Sequence, residues 1–256
     1  MIKFFELAGR PVIYVLEEVG HMLVLLFSAA ASMFRPPFRF RIIFKQMEFV
    51  GVNSIVIVII TGGFTGAVLA LQSYYGFRMF GGESLVGSTV ALAMTRELGP
   101  VFAALMVTGR AGSAMAAELG AMRVNEQIDA LYSMSVNPVQ YLVMPRVLAG
   151  VLMLPILTVV CDFIGIIGSY LVGVGILGIN SGVFVEKIIE YVSVKDIFNG
   201  LAKSVVFGLI LTLIGCYKGF YASGGAEGVG KATTQSVVLS SVTILVSDYF
   251  LTAAML

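Results

Sequence analysis

Long apolar stretches separated by short polar segments dominate the pattern of this chain. Five stretches, at residues 49–74, 89–115, 144–173, 195–216 and 232–256, reach the length of about 20 residues that a helix needs to cross a bilayer. They contain glycine and show no alternation of apolar and polar positions, so the pattern favours helices over a β-barrel. We therefore predict an all-α integral membrane protein with about five transmembrane helices.

The first 48 residues have a different pattern and are predicted to lie at the membrane surface. Charged residues interrupt the apolar ones, and the cleanest apolar run, at 22–34, is only about 13 residues long, which is short for a span. An interfacial or re-entrant helix suits a run of this length. We interpret residues 1–256 as a single membrane domain, with an N-terminal region over 1–48 and a membrane-spanning core over 49–256.

The composition supports a membrane protein and argues against other classes. Of the 256 residues, 58% are hydrophobic and only 12% are charged, with a mean hydropathy of +0.97. Soluble domains carry about 25% charged residues, so this chain lacks the polar surface of a soluble globule. The net charge of +1 gives no reason to expect nucleic-acid binding. Cys161 and Cys216 fall in apolar stretches, where we expect packing rather than a disulfide or a metal site.

Lysine and arginine residues are unevenly distributed between the two sides of the predicted core. The N-terminal region holds six, the segment 110–146 holds three and the connection 217–231 holds two, all on one side, whereas the opposite side has three. Because the more cationic side of a membrane protein faces the cytoplasm, we predict a cytoplasmic N-terminus and a C-terminus on the outer side. The polar segment that follows the second span is then cytoplasmic.

That cytoplasmic segment, residues 118–136, has the pattern of a short amphipathic helix. Its apolar stripe would comprise Ala121, Val124, Ile128, Leu131 and Ser135. Its ionised residues lie mostly away from this stripe, and they are Glu118, Arg123, Glu126 and Asp129. A short amphipathic helix attached to a membrane span is a suitable contact for a soluble partner, although an ordinary solvated loop helix has the same pattern.

Charged residues also fall inside the predicted spans, where a charge is costly and usually functional. Glu97, Lys203 and Asp248 each lie about eight residues from the outer end of their span, which corresponds to about 12 Å of helix. Arg96 is adjacent to Glu97, and Asp162 lies in the same outer half. Because opposite charges at one depth can pair, this set is either a structural ion-pair network or the polar lining of a substrate cavity.

Residues 225–232, GAEGVGKA, come close to a phosphate-binding loop. The match fails at Ala232, because that loop needs a hydroxyl there to hold magnesium, and it also needs a preceding buried strand where this chain has a membrane span. We interpret the segment as a flexible cytoplasmic loop. Nothing else in the chain resembles an ATPase, so ATP hydrolysis would require a separate subunit.

Several motifs of the central block resemble the MlaE/YrbE permease family. They are RELGP at 96–100, GRAGS at 109–113, ELGAMRV at 118–124, EQIDAL at 126–131 and KATT at 231–234. The resemblance runs from about residue 40 to the C-terminus. The central block is long and specific, whereas the N-terminal region is less diagnostic.

This resemblance implies a fold similar to that of ABCG-type exporters, with an interfacial N-terminal helix, five spans and a coupling helix that matches residues 118–134. It implies a homodimeric permease of a lipid ABC transporter in a bacterial inner membrane, which moves phospholipid between the inner and outer membranes and maintains outer-membrane lipid asymmetry. Relatives work with a cytoplasmic ATPase that uses ATP and magnesium, a periplasmic ring of MCE-domain proteins and often a STAS-domain protein. The permease is then not itself an enzyme and needs no cofactor or metal.

A phospholipid carrier needs an apolar cavity with a cation near the headgroup. We expect Arg96 or Lys203 to attract the phosphate, with Glu97 and Asp248 holding these cations in place. In a homodimer the set occurs twice around the two-fold axis and encloses a central cavity. We expect the apolar wall to come from the first span, where the candidates are Leu69, Leu71, Tyr74 and Tyr75.

Two other functions fit the same residues. In an ion- or proton-coupled secondary transporter, Glu97, Lys203 and Asp248 would carry the ions, and transport by the isolated chain would follow a proton gradient. A membrane anchor for an MCE complex would have no transport path, so substitutions in the cavity would be silent. Copurification of an ATPase, with lipid movement tied to its turnover, favours the permease.

Overall fold

A computed structural model describes residues 2–33, 36 and 39–255, and the regular elements in these ranges are all helices. Six stretches there are long and apolar enough to cross a membrane, which confirms an all-α integral membrane protein. The α-helices are α1 (Ile2–Met33), α2 (Phe40–Val50), α3 (Ile55–Arg78), α4 (Val86–Ala93), α5 (Gly99–Val107), α6 (Ser113–Val124), α7 (Gln127–Ser133), α8 (Met144–Gly175), α9 (Ser181–Tyr191), α10 (Val194–Phe220) and α11 (Gly225–Met255).

The five predicted spans correspond to α3, the helices from α4 to α6, α8, α10 and α11. Helices α4, α5 and α6 form one continuous stretch, Glu83–Val124, which we call the α4–α6 run, because π-helical turns at Met94–Leu98 and Thr108–Gly112 join them. Helix α11 begins at Gly225, so our prediction of a flexible loop at 225–232 is wrong. An ion pair of 2.7 Å between Glu227 and Lys231, one turn apart, supports helix there.

The sixth apolar stretch belongs to α1, a continuous helix whose segment Leu16–Met33 has a mean hydropathy of 1.3, the lowest of the six. Leu25 and Ala29 are buried against the C-terminal half of α10 and the turn before α8. Further back along α1, Glu18 forms an ion pair with Lys218 near the end of α10. Both parts of α1 therefore contact the same end of the bundle, and the interfacial position of this helix stays a prediction.

Helix α3 packs closely along α8, and small residues make this possible. A Cβ atom on Gly66 would overlap the backbone of Gly165, and a Cβ atom on Gly62 would lie 2.7 Å from the carbonyl oxygen of Cys161. The absence of side chains at these positions lets the two backbones approach. The main core forms where α3 and α8 meet the α4–α6 run and α10.

One end of the bundle, which we predict to face outward and call the outer end, contains a helix that we did not predict, α9, and a capping box. The side chain of Asn180 caps α9 by accepting hydrogen bonds from the backbone N–H groups of Gly182 and Val183, at 2.9 and 3.3 Å. Helix α10 then begins with reciprocal hydrogen bonds between Ser193 and Asp196. This capping box fixes the position of the Asp196 carboxylate at the start of α10.

The predicted coupling helix over 118–134 is two helices in the structure. Helix α6 ends at Val124, Glu126 has a left-handed φ of 57°, and α7 follows. The prediction of one helix is wrong because this turn redirects the chain, so that Ile128 is fully buried in the bundle and Leu131 packs beside it. The other members of the predicted stripe are at least partly exposed, and they are Ala121, Val124 and Ser135.

Candidate functional site

The polar cluster in the outer half forms where α10 crosses the α4–α6 run. A Cβ atom on Gly200 would overlap the carbonyl oxygen of Thr95 and lie 3.3 Å from Cγ of Pro100. The absence of a side chain at Gly200 therefore allows α10 to approach this part of the run. Lys203, nearly one turn further along α10, is brought against the same segment.

The backbone of the α4–α6 run offers an acceptor at this crossing. Pro100 has no N–H, so the carbonyl of Arg96, four residues earlier, lacks its α-helical donor, and the local backbone is a π-helical turn. The Nζ atom of Lys203 donates to this carbonyl oxygen at 3.1 Å. Lys203 of one helix thus supplies a donor to the carbonyl oxygen that Pro100 of another helix leaves without its α-helical donor.

Lys203 is buried and surrounded by oxygen atoms. Its Nζ lies 2.5 Å from Oε2 of Glu97 and 3.2 Å from Oδ1 of Asp248, and it donates to Oγ1 of Thr252 at 2.7 Å. Only 2% of the lysine side chain is exposed. The three charges that we placed at one depth therefore meet. Asp162 is not among these partners, since its carboxylate lies against Gly99.

Arg96 has a different environment from Lys203. Its side chain is 49% exposed, and Nε and Nη2 contact Oδ1 of Asp196 at 2.7 and 2.6 Å. Asp196 is 4% exposed, and its second oxygen accepts hydrogen bonds from the backbone and the hydroxyl of Ser193, at 2.9 and 2.8 Å. The carboxylate that holds Arg96 is thus one that we did not predict, because Glu97 and Asp248 are directed to Lys203.

These residues line a cavity of about 190 Å³, which we call the outer cavity. Its lining comprises Arg96, Glu97, Lys195, Asp196, Asn199, Lys203, Thr252 and Met255. The volume is below the range of about 300–1,000 Å³ that is usual for sites enclosing a whole small-molecule ligand. In a single chain the outer cavity therefore suits a phosphate headgroup but not acyl chains.

The predicted apolar wall on α3 lies apart from the outer cavity. Leu71 and Tyr75 are exposed, whereas Leu69 and Tyr74 pack against the main core. Helix α3 packs mainly on α8, and none of the four side chains belongs to the lining of the outer cavity in the described chain. In a single chain, Leu71 and Tyr75 are thus exposed to lipid or to a second copy of the chain. Their role in the wall of a lipid cavity stays a prediction.

At the opposite end of the bundle, which we predict to face the cytoplasm and call the cytoplasmic end, three of the four predicted coupling residues already have partners within the chain. The side chain of Arg146 is 4% exposed, and its Nη2 lies 2.8 Å from Oε2 of Glu118. Arg123 pairs with Asp129 at 2.6 Å and so bridges the turn between α6 and α7. Glu126 is exposed at that turn and has no ion-pair partner among the described residues. Of the four, Glu126 is therefore best placed to contact a basic group of another protein.

Known proteins resemble this chain along its whole length. The profile of the family described as Permease MlaE matches residues 43–254. A Rickettsia felis protein, "Probable ABC transporter permease protein", is 47% identical over 98% of this chain and 97% of its own length. The Haemophilus influenzae "Intermembrane phospholipid transport system permease protein MlaE" is 39% identical over 100% of this chain and 98% of its own. The Arabidopsis thaliana "Protein TRIGALACTOSYLDIACYLGLYCEROL 1, chloroplastic" is 38% identical over 82% and 60%.

Proposed function

The chain belongs to the MlaE permease family, and from this premise we propose that it is the permease subunit of an ATP-driven phospholipid transporter. It moves lipid between the inner and outer membranes of a bacterium and so maintains outer-membrane lipid asymmetry. It works as a homodimer in the inner membrane, with a cytoplasmic N-terminus and a periplasmic C-terminus. The name of the Haemophilus relative, an intermembrane phospholipid transport permease, supports phospholipid as the cargo.

The single observation that carries this proposal is the position of Arg96. Its half-exposed guanidinium lines the outer cavity and is held through Nε and Nη2 by the buried Asp196. A guanidinium has five N–H donors, so others are left for the phosphate of a lipid headgroup. Lys203, enclosed by Glu97 and Asp248, holds three helices together beside this site. The acyl chains extend into the central cavity between the two copies.

The driving force comes from other subunits. ATP and magnesium bind to a separate cytoplasmic ATPase, which docks on α6 and α7, where Glu126 presents its carboxylate to a basic group. A periplasmic ring of MCE-domain proteins exchanges lipid with the outer cavity, and a STAS-domain protein joins the complex on the cytoplasmic side. The permease catalyses no reaction of its own.

Replacement of Arg96 in the reconstituted complex tests this proposal. We expect Arg96→Ala to lower ATP-dependent lipid transport at least about tenfold, while the variant still copurifies with the ATPase. Arg78→Ala is the matched control, because Arg78 is also exposed at the outer end and contacts Glu83 only at 3.8 Å. Normal transport by Arg96→Ala would exclude the headgroup site. Transport driven by a proton gradient without the ATPase would favour the ion-coupled alternative.

A photocrosslinking residue on α3 tests the apolar wall separately. At Leu71 or Tyr75, whose side chains are 38% and 61% exposed, it should capture lipid during transport. At Val58, which is fully buried, it should form adducts with neighbouring helices instead. Equal lipid capture at all three positions would remove α3 from the wall of the cavity.

A further inference from the structure

A second polar cavity, of about 300 Å³, lies at the cytoplasmic end between α1, the end of α10 and the beginning of α11. Its charged lining residues are Glu18, Lys218 and Lys231, so the lining carries a net charge of +1. Lys218 and Glu18 are ion-paired and mostly shielded from solvent. Lys231 has an exposed side chain, and its partner Glu227, outside the lining, is 79% exposed. Solvent weakens this second pair, so Lys231 is available to an anionic ligand.

An apolar cavity of about 440 Å³ continues from the polar one. The two share Glu18, Lys218 and Gln235, so they form one feature, which we call the cytoplasmic groove. Beyond the shared residues its apolar wall comprises Val238, Leu239 and Val242 of α11. The eleven-residue step from Lys231 to Val242 spans about 16 Å of helix, close to the half-thickness of about 15 Å of a bilayer's hydrocarbon core.

The residues around the polar part are those of a membrane–water interface. The rings of Tyr217 and Tyr221 have centroids 5.1 Å apart, and Tyr221 stacks on His21 of α1 at 6.3 Å. Tyrosine collects at the level of lipid headgroups, and this end faces the cytoplasm in the predicted orientation. The polar part of the groove then lies level with the headgroups of the cytoplasmic leaflet, and the apolar part lies level with its acyl chains.

We propose that the cytoplasmic groove binds one phospholipid of the cytoplasmic leaflet, with its phosphodiester at Lys218 and Lys231 and one acyl chain along Val238, Leu239 and Val242. The single negative charge of the phosphodiester complements the net charge of the lining. The apolar continuation specifies a lipid rather than free phosphate. The inference rests on the proposed function, to which it adds a second lipid site at the end opposite Arg96.

Photocrosslinking of the full chain in nanodiscs tests the groove without ATP or partner subunits. A photoreactive residue at Leu239 is compared with one at Leu152, which is 44% exposed on α8 and outside the groove. The nanodiscs contain equal amounts of labelled phosphatidylglycerol and labelled diacylglycerol, which has the same chains but no phosphate. The ratio of phosphatidylglycerol to diacylglycerol captured should be about fivefold higher at Leu239 than at Leu152.

Charge variants connect this preference to the headgroup. Lys231→Ala should abolish the preference for phosphatidylglycerol at Leu239, and Lys231→Arg should keep this preference. Lys45→Ala, which removes an exposed lysine of α2 at the same end, should leave the preference unchanged. Because the Lys231 side chain is 69% exposed, its removal leaves the fold intact.

Three results would overturn the proposal that the cytoplasmic groove binds a phospholipid. They are equal capture ratios at Leu239 and Leu152, an undiminished preference in Lys231→Ala, and crosslinks from Leu239 to a second copy of this chain. None of them involves ATP-driven transport by the complex. The groove can therefore fail while the proposed function stands.

Discussion

Two ion pairs at opposite ends of the bundle have the same construction and opposite polarity. At the outer end, Asp196 is 4% exposed and holds Arg96, which is 49% exposed. At the cytoplasmic end, Arg146 is 4% exposed and holds Glu118, which is 54% exposed. In each pair the buried member fixes the position and the exposed member presents the charge. The chain thus presents a cation near the proposed phosphate site and an anion near the proposed ATPase.

The two pairs differ in what remains when the exposed member is lost. Without Arg96, the buried Asp196 still accepts two hydrogen bonds from Ser193. Without Glu118, the buried Arg146 keeps its charge, because an arginine cannot be deprotonated in a protein, and its Nε already has no hydrogen-bond partner in the described chain. We therefore expect the cytoplasmic pair to contribute more to stability than the pair of Arg96 and Asp196. This expectation agrees with the proposed role of Arg96 in lipid binding.

Removal of Glu118 should have the largest effect on stability. Glu118→Ala leaves the guanidinium of Arg146 buried without a counter-charge, which we expect to lower the free energy of unfolding by about 2–3 kcal/mol. This is less than for a fully buried pair, because Glu118 is half exposed. Thermal unfolding of the purified chain in detergent measures the change.

A double variant and a variant at the other end complete this test. Glu118→Leu combined with Arg146→Leu should recover most of the loss, since no charge is then left buried. Arg96→Ala should cost less than about 1 kcal/mol, because the carboxylate of Asp196 keeps its two hydrogen bonds from Ser193. Equal losses for Glu118→Ala and Arg96→Ala would remove the distinction between the two ends.

Lys203 should show an intermediate effect. Lys203→Met leaves the carboxylates of Glu97 and Asp248 close together without a cation, and we expect a loss of about 1–2 kcal/mol in the free energy of unfolding. Lipid transport should fall together with stability, whereas Arg96→Ala lowers transport alone. Parallel measurements of transport and unfolding separate these outcomes. Lost transport with unchanged stability in Lys203→Met would make Lys203 a direct ligand of the lipid.

Charge reversal at Glu126 should weaken the complex without unfolding the chain. In Glu126→Lys a lysine faces the basic group of the ATPase, and we expect about tenfold weaker ATPase binding and reduced stimulation by lipid. Glu186→Lys, which reverses an exposed charge on α9 at the outer end, is the control and should bind the ATPase normally. Normal binding and lipid-coupled ATP turnover in Glu126→Lys would exclude this turn as the docking site.

The sequence predicts those parts of the molecule for which the membrane allows only one structure. An apolar run of more than about 20 residues has to span, so α3, α8, α10 and α11 follow from hydropathy. The common depth of Glu97, Lys203 and Asp248 follows from counting residues along helices that end at the same face, because the helical rise is constant. The ion pairs of Lys203 with both carboxylates agree with that count.

The parts that the sequence does not predict depend on contacts between distant residues. Arg96 and Asp196 are 100 positions apart, and the only local signal is the capping box of Ser193 and Asp196, which indicates a helix start but not an ion pair. No glycine or proline marks the turn at Glu126, and the packing of Ile128 in the bundle that accompanies this turn involves residues far away along the chain. Helix α9 is not predicted because it is too short to stand out from the pattern of spans.

The smallest expected effect is that of Lys231→Ala on nucleotide binding, which should be none. Residues 225–231 are the first turns of α11, no strand precedes them in the described chain, and Ala232 stands where a phosphate-binding loop has a hydroxyl. The affinity of the whole complex for ATP should therefore be the same before and after this substitution, although the same change abolishes the lipid preference of the cytoplasmic groove. A photoreactive ATP analogue gives the decisive measurement. Labelling of this chain that disappears in Lys231→Ala would place a nucleotide at the cytoplasmic end of this chain. That result would contradict the assignment of ATP binding to a separate ATPase.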